Sequence, residues 1–144
     1  MQKASYDKDV VAWANEQAML LRDGRFSELD IEHIADEVED VGKSEQRELS
    51  SRMAVLMAHL LKWKFQPAFQ CRSWSNTIKT QRFLIKRHLV KMPSLRPMLH
   101  DLDWIVVAWG DATLLAQKET GIDFFPEECV WTIDQVMDDG FLPE

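Results

Sequence analysis

The sequence predicts an all-α protein: a single up-and-down helical bundle of about five helices, with a short C-terminal helix and an irregular strap. Three observations predict it. Only five Gly and five Pro occur in 144 residues, and the stretches between them are rich in good helix formers. Apolar residues recur every three to four positions along most of the chain. The intervening loops are short, which favours antiparallel neighbours. One domain, 1–144, is expected, long enough to bury most of its apolar surface. Six Trp and seven Phe supply bulky core side chains.

The first helix is expected from about Asp7 to Asp23. Val10, Trp13, Ala14, Gln17, Leu20 and Leu21 share a face, and Gly24 supplies the stop. A second follows Leu29 and the capping residue Asp30. Ile31, Ile34, Ala35, Val38 and Val41 form its stripe, Gly42 ends it, and Glu32, Asp36, Glu39 and Asp40 make its outer face acidic. The third runs from Ser44 to about Phe65. Leu49, Met53, Leu56, Leu60 and Trp63 step by four and three, the spacing of a bundle seam. Ala54, Val55, Met57, Ala58 and Leu61 cover most of the remaining circumference, so this helix is expected at the centre, with Leu56 and Trp63 buried.

The fourth helix begins near Ser73 or Ser75 and ends at Met92, because Pro93 follows. Trp74, Ile78, Ile85, Leu89 and Met92 line its inner face, Arg82 lies at a margin, and Lys79, Lys86, Arg87 and Lys91 lie outside. The fifth is capped near Ser94 and runs to Thr120, with Gly121 after it. Met98, Leu102, Ile105, Val106, Trp109, Ala112 and Ala116 form its stripe, and Gly110 in the middle suggests close backbone packing on a neighbour. The tail reads as a strap with one short helix, capped by Thr132 with Gln135 completing a capping box.

Charge is segregated along the chain. Residues 49–100 hold ten Lys and Arg and no Asp or Glu. Residues 1–48 carry six basic and thirteen acidic side chains, and residues 101–144 carry one and eleven. Two explanations stand open: internal neutralisation of a cationic helix pair, or a basic face for an anionic partner. The net charge of −7 argues against a whole-domain nucleic-acid binder. The N-terminal stretch lacks the apolar core of a leader peptide, and no apolar run reaches the roughly 20 residues of a membrane span, so a soluble, cytoplasmic chain is expected. Cys71 and Cys129 form no paired motif, which favours two reduced thiols.

A resemblance rests on particular residues. His59-Leu-Leu-Lys62-Trp63 with Gln66-Pro67, then Arg72-Ser73-Trp74, Thr77-Ile78 and Gln81-Arg82, resembles the core signature of the domain-of-unknown-function 29 family, mostly bacterial and prominent in cyanobacteria. Further similarity runs through Trp13, Leu29-Asp30, Glu37, Gly42, Pro93 to Pro97, Glu119-Thr120-Gly121, Phe125-Pro126 and Phe141-Leu142-Pro143. The resemblance implies a helical bundle and carries no activity with it. The chain departs from the family pattern at Thr113, where an Arg is usual, and at Val130-Trp131, where Pro-Tyr is usual.

The candidate binding residues are His59, Lys62, Trp63, Gln66, Arg72, Trp74 and Arg82, which bracket one turn of the bundle. Two aromatics, three cations and an imidazole suit an anion, with Arg72 or Arg82 offering a bidentate fork. The competing reading packs the aromatics into the turn, under the stems of the cations, with the heads paired to carboxylates, Glu37 above all. No metal is expected: His33 with Asp36 and Glu37, and His100 with Asp103, lack three or four convergent ligands. No cofactor is expected, since no Gly-rich phosphate loop occurs, and no catalytic residue, since neither a nucleophile elbow nor a Cys with an evident base occurs.

Helical ribonucleases place a His shortly after an Arg, and Arg82–His88 and Arg52–His59 match that spacing, though composition alone yields about 0.7 such matches. In a helix Arg82 and His88 also point about 120° apart. The function expected is therefore a cytoplasmic protein-interaction or regulatory module without catalytic activity. The partner is expected to be a protein, homo-oligomerisation being open, with no membrane association. The alternative is a nuclease-type or anion- or nucleic-acid-binding protein using the basic face of residues 49–100.

Overall fold

A computed structural model describes residues 5–144; the first four, part of the stretch read for a leader, lie outside the described residues. The fold is all-α, with no strand among the described residues. The helices are α1 (Val10–Arg22), α2 (Ile31–Phe65), α3 (Arg72–Lys91), α4 (Leu102–Thr120) and α5 (Ile133–Met137), with 3₁₀ turns at Phe26–Glu28, Pro67–Phe69 and Pro93–His100.

Two expected boundaries are corrected. The second and third helices are one helix of 35 residues. Gly42 does not end it, because glycine stops a helix by taking positive φ and Gly42 does not take it. With no Pro nearby, its weak propensity costs the helix only about 1 kcal/mol. The fifth helix starts at Leu102, not near Ser94. Pro93 and Pro97 keep residues 93–100 in a 3₁₀ stretch, and Asp101 caps α4 through the amides of Asp103 and Trp104.

The described residues form two compact units, one up to Glu45 and one from Gln46 to Glu144. In the first, Asp9 caps α1 by accepting from the Ala12 amide, and Gly24, at φ +72°, follows its end. Trp13, Gln17 and Leu20 are buried. The stripe expected on the second helix is not covered: Ile31, Val38 and Val41 are each about two-thirds exposed. This unit is tied by a polar and aromatic cluster that apolar periodicity does not show. The Asp30 carboxylate accepts from Trp13 Nε1 at 2.9 Å and from His33 Nδ1 at 2.7 Å, while its amide donates to Gln17 Oε1. Tyr6 stacks on His33 and donates to Glu37 at 2.6 Å. That hydrogen bond to a carboxylate holds the Tyr6 phenol up at about 12.

The second unit contains the main core. Leu49, Met53, Leu56 and Leu60 are fully buried, as the seam spacing predicts, and so are Met57 and Leu61 on the flanks. Trp63 is only half-buried. Ile78 and Ile85 enter from α3, Leu95 from the 3₁₀ stretch and Val136 from α5. From α4 come Ala108, Trp109, Ala112 and Ala116, whose small residues at four-residue steps admit large neighbours. The tail is fastened by Trp109, whose indole donates to the Pro126 carbonyl at 2.9 Å and meets Trp131 edge-on. Gly121 ends α4 at φ +76°, and the Thr132–Gln135 capping box forms as expected. Gly110 is corrected: nothing lies within 4 Å of a Cβ built there, so it marks open surface, not a close helix crossing.

Candidate functional site

The seven candidate residues are not one site. The structure parts them into a cluster around Lys62, a turn, and a buried guanidinium.

Lys62 is 6% exposed, and its ammonium bonds Glu119 at 2.5 Å while lying 4.8 Å from the Trp74 ring centroid. Ammonium over indole is a favourable quadrupole contact, stronger for being desolvated. His59, half-buried on the same helix, donates from Nδ1 to the Val55 carbonyl at 2.8 Å. Burial lowers its pKa and Lys62 adds to that, while the bond to Val55 opposes. Trp63 contributes its carbonyl, which accepts from Gln70 Nε2, and Gln66 contributes its backbone, bonded to Lys62 and Phe69. Arg72 is exposed at the start of α3, beside Asn76 and Thr77. Glu119 was hidden from sequence reasoning because it lies 57 residues from its partner.

Arg82, expected at a margin, is 2% exposed. It donates from Nε to Val136 O at 2.8 Å, from Nη2 to Phe141 O at 2.7 Å and from Nη1 to Asp139 O at 3.5 Å. Glu37, the ion-pair partner expected for Arg72 or Arg82, belongs to the other unit, where it accepts from Tyr6; within its own unit the Arg82 guanidinium takes three carbonyls. The physical reason is fork geometry: five fixed donors match carbonyls converging from a folded strap. Burial lowers the Arg82 pKa, with Asp139 and Asp138 opposing. Three of its five donors are engaged in this way, and Arg52, the other nuclease candidate, pairs with Glu48 at 2.9 Å.

Beside this latch lies a cleft of about 490 Å³ between α3 and the strap. Ile78, Phe83 and Leu142 give it apolar walls, and Lys79, Lys86 and Asp139 give it charge. Lys86 Nζ meets Asp139 at 2.9 Å. Hydrogen bonding to Lys86 holds the Asp139 carboxyl below the usual range.

Two outward faces complete the unit. On α3 there are five exposed cations and no acid. Among them Arg72, Lys79, Arg87 and Lys91 have no ion pair with a described residue, and Phe83 and Val90 are 60% and 70% exposed between them. On α4 the exposure is aliphatic: Leu102 76%, Val106 69%, Val107 58% and Leu114 65%. The stripe expected for this helix therefore divides, with Trp109, Ala112 and Ala116 inside and Leu102 and Val106 outside. Both thiols are free, Cys71 exposed and Cys129 half-buried. Among the described residues no helix is long and apolar enough to cross a membrane.

Neither a curated protein nor a solved structure matches the chain. A family model, the domain of unknown function DUF29, matches residues 5–142, which takes in the Lys62 cluster, the Arg82 latch and both exposed faces. The chain belongs to the DUF29 family.

Proposed function

We propose that the chain is a helical protein-interaction module without catalytic activity, and that the outward face of α4 carries the contact. One observation supports this most: four large aliphatic side chains within thirteen residues, Leu102, Val106, Val107 and Leu114, are each more than half exposed. At about 100° per residue they fall within an arc of roughly 140°. Single exposed aliphatics are ordinary, but a contiguous set marks an interaction surface. Gly110 lies in the middle of it and leaves room for a close approach. Alongside runs a groove of about 350 Å³ lined by Val55, Leu114, Leu115 and Lys118, wide enough for one large side chain. The partner that fits is the apolar face of another protein's helix. Its anchor residue would enter the groove, and its rim would be charged to suit Asp111 and Lys118.

The test begins with photo-crosslinkers at Val106 and Leu114 in the native cell, followed by reconstitution of the captured protein with purified chain. Val106→Asp with Leu114→Asp should keep the helical spectrum and weaken binding at least a hundredfold. Equal affinity of the variant and the parent would overturn the assignment, as would a dimer of the chain as the sole crosslinked product.

The cationic face of α3 favours a second reading, an anionic partner. Exposed Arg72, Lys79, Arg87 and Lys91 interleaved with Phe83 suit phosphates and bases. Binding to single-stranded RNA that falls steeply with salt, and is lost in Arg87→Glu with Lys91→Glu, would establish it. Salt-insensitive or undetectable binding would dismiss it.

A further inference from the structure

We propose that the cleft between α3 and the C-terminal strap binds a small amphipathic carboxylate, its anionic group on Lys79 and its apolar body on Phe83, Ile78 and Leu142.

The volume, about 490 Å³, lies within the range of roughly 300–1,000 Å³ for small-molecule sites. The lining is divided as such a ligand is. Ile78 forms a buried floor, Phe83 and Leu142 stand 60% and 41% exposed at the sides, and Lys79 and Lys86 stand seven residues apart along the same helix. Seven residues is two turns, about 10 Å of rise, so both ammonium groups overlook one opening.

The protein itself shows what the cations accept. The Asp139 carboxylate reaches across from the strap to Lys86 at 2.9 Å. Lys79 is the open counterpart, with no ion pair to any described residue. Asp139 is the one acid in the lining, and Arg82 adds a third positive charge from beneath. The wall is preformed. Three bonds from the buried Arg82 to Val136, Asp139 and Phe141 hold the strap, so ordering it costs a ligand little.

The class of anion follows from the same features. Phosphate sites draw on converging backbone amides at a Gly-rich loop or helix N-terminus, and this cleft sits along the middle of α3. One ammonium over an apolar trough suits a monoanionic carboxylate.

Octanoate is the probe, with acetate supplying the charge without the body and 1-octanol the body without the charge. In amide-resolved NMR, octanoate should shift residues 79, 83, 86 and 140–142 saturably, with much weaker effects from either control. Lys79→Gln should weaken octanoate at least tenfold. Asp139→Asn should tighten it several-fold, by removing a like charge and releasing Lys86. Both sites are exposed, so both variants should fold. Octanol equal to octanoate would mean apolar adsorption and would overturn the proposal. So would acetate equal to octanoate, or an Asp139→Asn variant that binds no tighter.

Discussion

Arg82 Nε donates to the carbonyl of Val136 at 2.8 Å, in a site where the arginine is 2% exposed. The two residues are 54 positions apart, and this bond with its neighbours turns α3 into the support of the tail. A charged donor in a buried bond stabilises by about 1.5–3 kcal/mol, and removing it leaves carbonyls without partners. Arg82→Gln should therefore lower stability by on the order of 3 kcal/mol, read from urea unfolding. Arg82→Lys should recover little, since one ammonium cannot reproduce the fork. The tail amides of residues 136–141 should lose hydrogen-exchange protection first. Full protection there in Arg82→Gln would show that the tail is held by other contacts.

The pair of Lys62 and Glu119 has an uneven setting, with side-chain exposures of 8% and 46%. Breaking a fully buried pair costs about 3–5 kcal/mol, and an exposed one about 0–1 kcal/mol. Glu119→Gln should fall between, near 2 kcal/mol, because the ammonium left behind is the buried member. Lys62→Met combined with Glu119→Gln should recover much of that loss, since the remaining aliphatic chain still packs on Trp74. Additive losses in the double-mutant cycle would mean that the two groups are not coupled.

The histidines of α2 are expected to titrate in opposite directions from the ordinary value of about 6.5. His33 donates to Asp30, and that bond raises its pKa. His59 is lowered, first by burial and then by Lys62. The signs follow from proton linkage. His33 contributes stability that is complete below the unfolded value and lost as pH rises through its folded value. His59 binds its proton less readily when folded. It therefore costs nothing above the unfolded value and destabilises as pH falls from there toward its folded value. Imidazole NMR should show His33 titrating above His59. The stability difference between the parent and His33→Gln should shrink as pH rises through the folded His33 pKa, and that for His59→Gln should shrink as pH falls below the unfolded value. Reversed order of the two rings would contradict the His33–Asp30 bond and the burial of His59.

Much of the second unit was legible in sequence because burial there is apolar. The steps of four and three through Leu49, Met53, Leu56 and Leu60 mark residues that are all fully buried, and the Thr132–Gln135 box is a local pattern that formed as written. What stayed hidden is tertiary and polar. Nothing in the spacing of Arg82 names Val136, Asp139 and Phe141 as its acceptors, or Glu119 as the partner of Lys62. Charge arithmetic weighs only opposite charges, and a guanidinium also bonds neutral carbonyls, which no count of charges locates. The α4 stripe was read as one face because aliphatic spacing does not tell a residue facing the core from one facing a partner, and Leu102 and Val106 are outside.

The continuity of α2 offers a direct test at Gly42. Two local structures make opposite predictions for Gly42→Ala. At a helix end glycine takes positive φ, as Gly24 and Gly121 do here at +72° and +76°, and a Cβ there is strained. In a helix interior glycine has the ordinary negative φ and only raises the entropy of the unfolded chain. Gly42 belongs to the second case: its φ is not positive, nothing lies within 4 Å of a Cβ built on it, and the helix continues 23 residues further, to Phe65. Gly42→Ala should thus stabilise by about 0.5–1 kcal/mol. Gly121→Ala should destabilise, because its φ is incompatible with alanine. Chemical denaturation of the two variants in parallel reads both signs. A loss at Gly42 comparable to that at Gly121 would mean that the chain turns at residue 42 and that α2 is two helices.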